Sequence, residues 1–185
     1  MGNVLFISTV YLKKNTIIES NVEDHILTPN ILKAQVIEIQ NVIGTSLYDA
    51  LIVRVIAGTV TGNYKTLMDD YIAPSLSEWS LYYALPAISM RLENSSIVMK
   101  DTENSTPVSL DDVKYLRNDI RNTSEFLSDR LSKYLCANAS SFPEFRDESE
   151  SDEVHPSSNN FFSGIYLGDT CKSNIRTYKG PENCC

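Results

Sequence analysis

The first strong pattern along the chain is an apolar stripe. Leu32, Val36, Ile39 and Ile43 recur three and four residues apart between Thr28 and Gly44, the spacing that lines one side of an α-helix. Thr28 is a suitable N-cap, and Pro29 suits the first helical position, where a missing N–H costs nothing. Gly44 suits the position just past the helix, since glycine takes a left-handed conformation cheaply. Thr45 then caps a second helix in which Leu47/Tyr48, Leu51/Ile52 and Val55/Ile56 repeat every four residues as far as Gly58. The stretch "LIVRVIAGTV" is rich in β-branched residues and also fits a buried strand; the glycines and the four-residue period favour helix. After a turn at "TVTGNY", residues 64–94 carry Leu67, Tyr71, Ile72, Leu76, Trp79, Tyr83 and Ile88 at helical spacing. Apolar residues run nearly all the way round, which predicts a central, buried helix. Pro74 and Pro86 are expected to kink or divide it, because proline removes a hydrogen bond and crowds the turn before it.

The flanks differ in character. Residues 1–27 hold short β-prone pieces, "NVLFIST" and "NTIIES", and read as an extended N-terminal arm. "SSIVMKDTENSTPVS" reads as a β-hairpin near 95–108, with Ile97, Val98 and Met99 as strand, a turn over 101–104 and Pro107 marking an edge. Ser109 caps a last long helix, with Asp111 and Asp112 placed against its N-terminal dipole. Its apolar face is Val113, Leu116, Ile120, Leu127, Leu131 and Leu135, and it ends near Ala137. Residues 144–153 hold six acidic residues against Arg146 alone, so 144–160 reads as an acidic polar linker. Phe161, Phe162, Ile165, Tyr166 and Leu167 then bring back an apolar patch within a tail over 161–185. That tail either folds back on the chain's own helices or docks on a partner. The fold class is mainly α: a small helical bundle over 28–143 of about four helices, the third Pro-kinked, with a β-hairpin insertion and extended N- and C-terminal arms.

Composition narrows the function more than the fold. A chain of 185 residues fits one domain with an appendage. A net charge of −8 gives no support to a surface that grips nucleic acid. No apolar run approaches the ~18 residues of a membrane span, and residues 1–6 lack the pattern of a signal peptide. Phe6 stands where a myristoylation motif needs Ser or Thr. Cys136, Cys171, Cys184 and Cys185 form no CxxC pair, so no zinc site is expected and free thiols are the simpler reading. His25 and His155 lie far apart, and no nucleophile–base pair suggests itself. Asp69/Asp70 and Asp111/Asp112 are adjacent, so each pair splits by about 100° around a helix and shares no face. Gly44, Gly58 and Gly62 begin no phosphate-cradling motif. Neither an enzyme nor a cofactor is expected.

The order of these pieces, with "TPNILKAQVIEIQNVIGTSLYDAL", "YKTLMDDYIAPSLSEWSLYYALP" and "SLDDVKYLRNDIRNTSEFLSDRLSKYLC", resembles the head–tail connector (adaptor) ring proteins of tailed bacteriophages. Within that group it is most similar to the neck ring proteins of crAss-like phages. The similarity covers about residues 3–143 and part of the "SGIYL" tail. It implies a homo-oligomeric ring, commonly dodecameric, in the neck of the virion and assembled in the host cytoplasm. Such a ring binds the portal protein and neighbouring tail or neck ring proteins, and DNA passes through without specific binding or any membrane. The family has no active-site residues to carry over. An acidic wall suits such a channel, because it denies DNA the counterion release that drives adhesion. Candidate neighbour or partner contacts are the apolar residues of arm, hairpin and tail: Phe6, Ile7, Ile97, Val98, Met99, Phe161, Phe162, Ile165, Tyr166 and Leu167. The competing readings are a non-enzymatic helical protein-binding module and a tail-terminator or stopper ring further down the neck.

Overall fold

The computed structural model of the chain describes residues 4–93, 96–99, 110–146, 154 and 156. The fold is mainly α-helical. The first residues do not form the extended arm expected for 1–27. Ser8 caps helix α1 (Thr9–Asn15), its hydroxyl accepting from the Tyr11 N–H at 3.1 Å, and Lys13 and Lys14 occupy the last turn. Leu12 is fully buried and Ile7 and Ile18 nearly so. A cap, a favourable charge placement and three buried side chains outweigh the local β preference of this stretch.

Helix α2 (Asp24–Ala34) begins at Glu23 rather than at the expected Thr28 cap, and Pro29 lies inside it. Leu27 is fully buried, so extending the helix back by a turn gains core contact. The bond lost at Pro29 belongs to the carbonyl of exposed His25, where solvent can replace it. Thr28 is left to donate to the Asp24 carbonyl at 2.9 Å. A π turn over Gln35–Ile39 leads into helix α3 (Gln40–Ile43). This wider turn shifts the apolar face by a residue. Ile31, Gln35, Ile39 and Ile43 are fully buried, whereas Val36 of the expected stripe is 47 % exposed and Leu32 only partly covered.

Helix α4 (Thr45–Ile56) follows directly and buries Leu47, Tyr48 and Leu51, so "LIVRVI" is helix and not strand. Helix α5 (Gly62–Thr66), a second π turn over Leu67–Ile72 and helix α6 (Ala73–Ser89) make one continuous rod. Neither proline divides it. Pro74 would crowd the Asp70 carbonyl in a regular helix, and Asp70 lies in the π turn that ends two residues before Pro74, where a widened turn relieves that contact. Pro86 lies within the last turns of α6.

Helix α6 is the centre of the bundle, packed between α2 and the long helix α7 (Leu110–Ala137), with α1 against both α2 and α6. Its buried residues include Ala73, Leu76, Trp79, Leu81 and Ala84 together with three serines. Ser77 and Ser80 donate to the Ala73 and Leu76 carbonyls at 2.7 and 2.5 Å. These small residues let neighbouring helices approach without leaving an unpaired hydroxyl.

The hairpin expected near 95–108 is not supported. Ser96–Met99 (β2) forms a short antiparallel ladder with the preceding Met90–Glu93 (β1), pairing Met90 with Met99 and Glu93 with Ser96. Residues 100–109, which include the expected turn at 101–104 and the Ser109 cap, lie outside the described residues. The misreading is one of register: an apolar triplet such as Ile97-Val98-Met99 can pair forwards or backwards, and only the chain's return from α6 selects the backward partner.

Two 3-10 turns, Ala139–Ser141 and Pro143–Arg146, close the far end. Phe142 is fully buried and Phe145 nearly so, so the start of the expected linker packs on the core instead of lying in solvent. The Arg54 guanidinium lies 3.9 Å from the Tyr64 ring centre and donates to Glu144 at 2.8 Å, while the Tyr64 hydroxyl donates to the other Glu144 oxygen at 2.8 Å. Tyr64 meets Phe142 edge to face at 5.3 Å. Burial alone would raise the Glu144 carboxyl, but a backbone N–H, the Tyr64 hydroxyl and Arg54 outweigh it and hold it below the usual carboxylate range. A depressed folded value means stability that is present above the unfolded value of about 4.3 and is lost as pH falls through the folded one. In thermal melts, Glu144→Gln is expected to cost about 1 kcal/mol or less at neutral pH. Its deficit against the native chain should shrink as pH is lowered below about 4; a deficit that persists unchanged would place the effect in packing instead.

Candidate contact surfaces and the cleft beside Trp79

The sequence-named contact residues divide into three groups. Ile7 packs inside, and Phe6 is half-buried against the core. The Phe6 ring lies 5.3 Å from Tyr48, its N–H donates to Gln35 Oε1 at 2.8 Å, and Ile7 is buried. They hold the first residues onto the π turn and α4, which corrects their assignment to an extended arm. Ile97, Val98 and Met99 stand on β2. Phe161, Phe162, Ile165, Tyr166 and Leu167 lie outside the described residues, as do Cys171, Cys184 and Cys185.

Exposed apolar side chains stand elsewhere. On α4, Val53 is 64 % and Ile56 69 % exposed, and three-residue spacing puts them side by side. On α7, Tyr115 is 78 % and Phe126 68 % exposed. Eleven residues on a helix return to within about 20° of the same direction, so these two rings share one outer face about 16 Å apart. The apolar period of the sequence marked Ile56 as part of a stripe, and the inward side of α4 is instead set by Leu47, Tyr48 and Leu51. Tyr115 and Phe126 fall off the expected stripe of α7, each directly before a leucine that lies on it.

An open cleft of about 400 Å³ lies where α3 and its preceding π turn meet α6 and α7. Its walls include Glu38, Asn41, Trp79, Glu125, Ser128 and Asp129. The Trp79 indole N–H donates to Ser128 Oγ at 2.8 Å, and Ser128 is within 3.1 Å of Ser75 Oγ. Neither partner can take the Ser128 proton as a base. Each carboxylate is matched: Glu38 accepts from the Tyr83 hydroxyl, Glu125 from Arg121 and Asp129 from Lys133. Burial first, and then the Glu38 carboxylate, push the Tyr83 hydroxyl far above its usual range. Tyr83 is therefore a fixed donor at any physiological pH. The cleft offers a hydrogen-bonding, acidic surface around an indole, without an activated nucleophile.

His25 is exposed beside Glu23 at 3.0 Å, while His155 lies outside the described residues. Asp69, Asp70, Asp111 and Asp112 are exposed. Among the described residues no group of three or more His, Cys, Asp or Glu could hold a metal ion, and no helix is long and apolar enough to cross a membrane.

One contact had no signal in the sequence. At the corner between α3 and α4, Gly44 has φ +79°, and residues 154 and 156 lie against it. The Thr45 N–H donates to the Val154 carbonyl at 2.9 Å, and the Val154 N–H donates back to Thr45 Oγ1 at 3.0 Å. Gln40 Nε2 also donates to that hydroxyl, at 3.1 Å.

A model of a family of unknown function (DUF6712) matches residues 39–154. The chain belongs to this family. No curated protein and no solved structure matches the chain. The stretch matched to DUF6712 runs from the last residue of the π turn to Val154, so it takes in the Gly44 corner, Val154 and every named wall of the Trp79 cleft except Glu38.

Proposed function

We propose that this protein is a non-enzymatic structural subunit of a tailed-phage neck. In this reading it forms a ring that joins portal to tail and extends the DNA channel. The observation that supports it best is the pair of exposed apolar sets, Val53 with Ile56 on α4 and Tyr115 with Phe126 on α7. A closed ring of one chain needs two different surfaces that complement each other head to tail. A helical scaffold with two such sets on different helices meets that requirement. The net charge of −8 suits a passage that must not hold DNA. The neck, the portal partner and the virion as its setting come into this reading from the resemblance to connector rings alone. The tail residues Phe161, Phe162, Ile165, Tyr166 and Leu167 are the proposed docking segment toward portal or a neighbouring ring.

Native mass measurement tests the reading, first on the protein alone and then on a mixture with portal. A ring in either sample is the expected result. A monomer indifferent to portal would remove it and favour the helical binding module. Ile56→Asp and Phe126→Asp are each expected to abolish the ring while changing unfolding free energy by about 0.5 kcal/mol or less, as exposed substitutions usually do.

A further inference from the structure

Arg117 is half-buried on α7, and its charge has no partner. Its guanidinium lies 4.1 Å from the Tyr82 ring centre. Its Nε is enclosed without an acceptor, and among the described residues no carboxylate lies within ion-pair distance of it. A charged group drawn this far from water ordinarily keeps a hydrogen-bonding partner, because leaving it unpaired is costly. Lys33 of α2 repeats the arrangement: its ammonium lies 4.6 Å from the Tyr83 ring centre and makes no ion pair among the described residues. Tyr82 and Tyr83 meet edge to face at 5.3 Å, so two helices bring two unpaired cations to one tyrosine pair on α6. Glu38 sets one negative charge beside them and accepts from the Tyr83 hydroxyl, while Arg121 is paired with Glu125. Stacking on an aromatic ring holds a guanidinium in place and leaves its planar fork for a carboxylate.

The opposite imbalance stands at the other end of the same rod. Asp69 and Asp70 are exposed on the π turn Leu67–Ile72 and form no ion pair with any described residue. Arg130 lies 4.8 Å from the ring centre of Tyr71 beside them and pairs with neither. The helical rise puts Asp70 about 18 Å along the rod from Tyr82. We propose that the cations on Tyr82 and Tyr83 receive the Asp69–Asp70 pair of a second copy of this chain. This contact rests on the ring reading above and supplies its polar part. Acceptor and donor lie on different surfaces of one chain, as a head-to-tail contact requires, so every copy offers both to its neighbours. Copies that meet acid to acid or cation to cation are repelled, which fixes the register of the junction.

Native mass of the full chain tests this, in whichever sample the native protein assembles, alone or with portal, and thermal melts confirm folding. One variant carries Asp69→Lys and Asp70→Lys, the other Lys33→Glu and Arg117→Glu. Each by itself should associate at least about tenfold more weakly than the native chain. An equimolar mixture of the two should recover assembly with the copies alternating, because native junctions then alternate with charge-reversed ones. If the Arg117 substitution unfolds its chain, Lys33→Glu alone takes its place, since Lys33 is exposed. Native-strength association of either variant alone, or no recovery in the mixture, overturns the proposed contact. A native ring that persists through either result keeps the ring reading and loses only this junction. A native chain that stays monomeric with and without portal overturns both.

Discussion

Replacing Leu76 with alanine is expected to lower the unfolding free energy by about 2–5 kcal/mol. Leu76 is fully buried on α6, the helix against which both α2 and α7 pack. Truncation removes apolar transfer energy and also leaves a cavity that rigid helices on two sides cannot collapse to fill. In a chain of this size each kcal/mol moves the melting temperature by roughly 2–4 °C, so a drop of about 10 °C is expected. A change under about 2 °C in calorimetry would mean that α6 is not the centre of the core.

Replacing Gln35 with leucine should cost about 2–3 kcal/mol, by a different route. Gln35 is fully buried among aliphatic residues, yet all of its side-chain polar atoms are engaged. Oε1 accepts from the Phe6 N–H, while Nε2 donates to the Val4 carbonyl at 3.0 Å and to the Tyr48 hydroxyl at 2.9 Å. A backbone donor on one side and a backbone acceptor on the other fix which way the amide points. Leucine keeps the volume and orphans three polar groups at once. Hydrogen exchange separates the two variants. With Gln35→Leu, the amides of residues 4–7 should lose protection before the helices do, whereas Leu76→Ala should loosen the bundle as a whole. Intact protection at Phe6 in Gln35→Leu would show that packing of Phe6 and Ile7 alone holds the first residues in place.

These two positions also show how far the sequence could be read. Leu76 lay on the apolar pattern of residues 64–94, so a central helix was legible from periodicity alone. Gln35 did not announce itself. A polar residue beside an apparent stripe of Leu32 and Val36 reads as surface, yet Gln35 lies one turn on from buried Leu27 and Ile31 and faces inward with them. The same limit applies at Pro29 and Pro74, where local rules predict a helix start or a break. Burial of Leu27 and relief by a π turn let the helices run on. The candidate contacts fared differently from the helices. Phe6 and Ile7 were named for being apolar in a β-prone arm, and that property is what draws them into the core.

What the sequence determined by itself is the helical content, the central place of the 73–89 helix and the long α7 ending at Ala137, because each depends on a period repeated over many residues. Tertiary structure decided the rest: the inward turn of Gln35, the folding of the first residues onto α2 and α6, and the backward pairing of Ser96–Met99. It also decided the seat of Val154 and Pro156 on Gly44. Each of these pairs groups that are not neighbours along the chain. No local pattern encodes the partner, since a backbone N–H or an apolar side chain carries no address until the helices around it have packed.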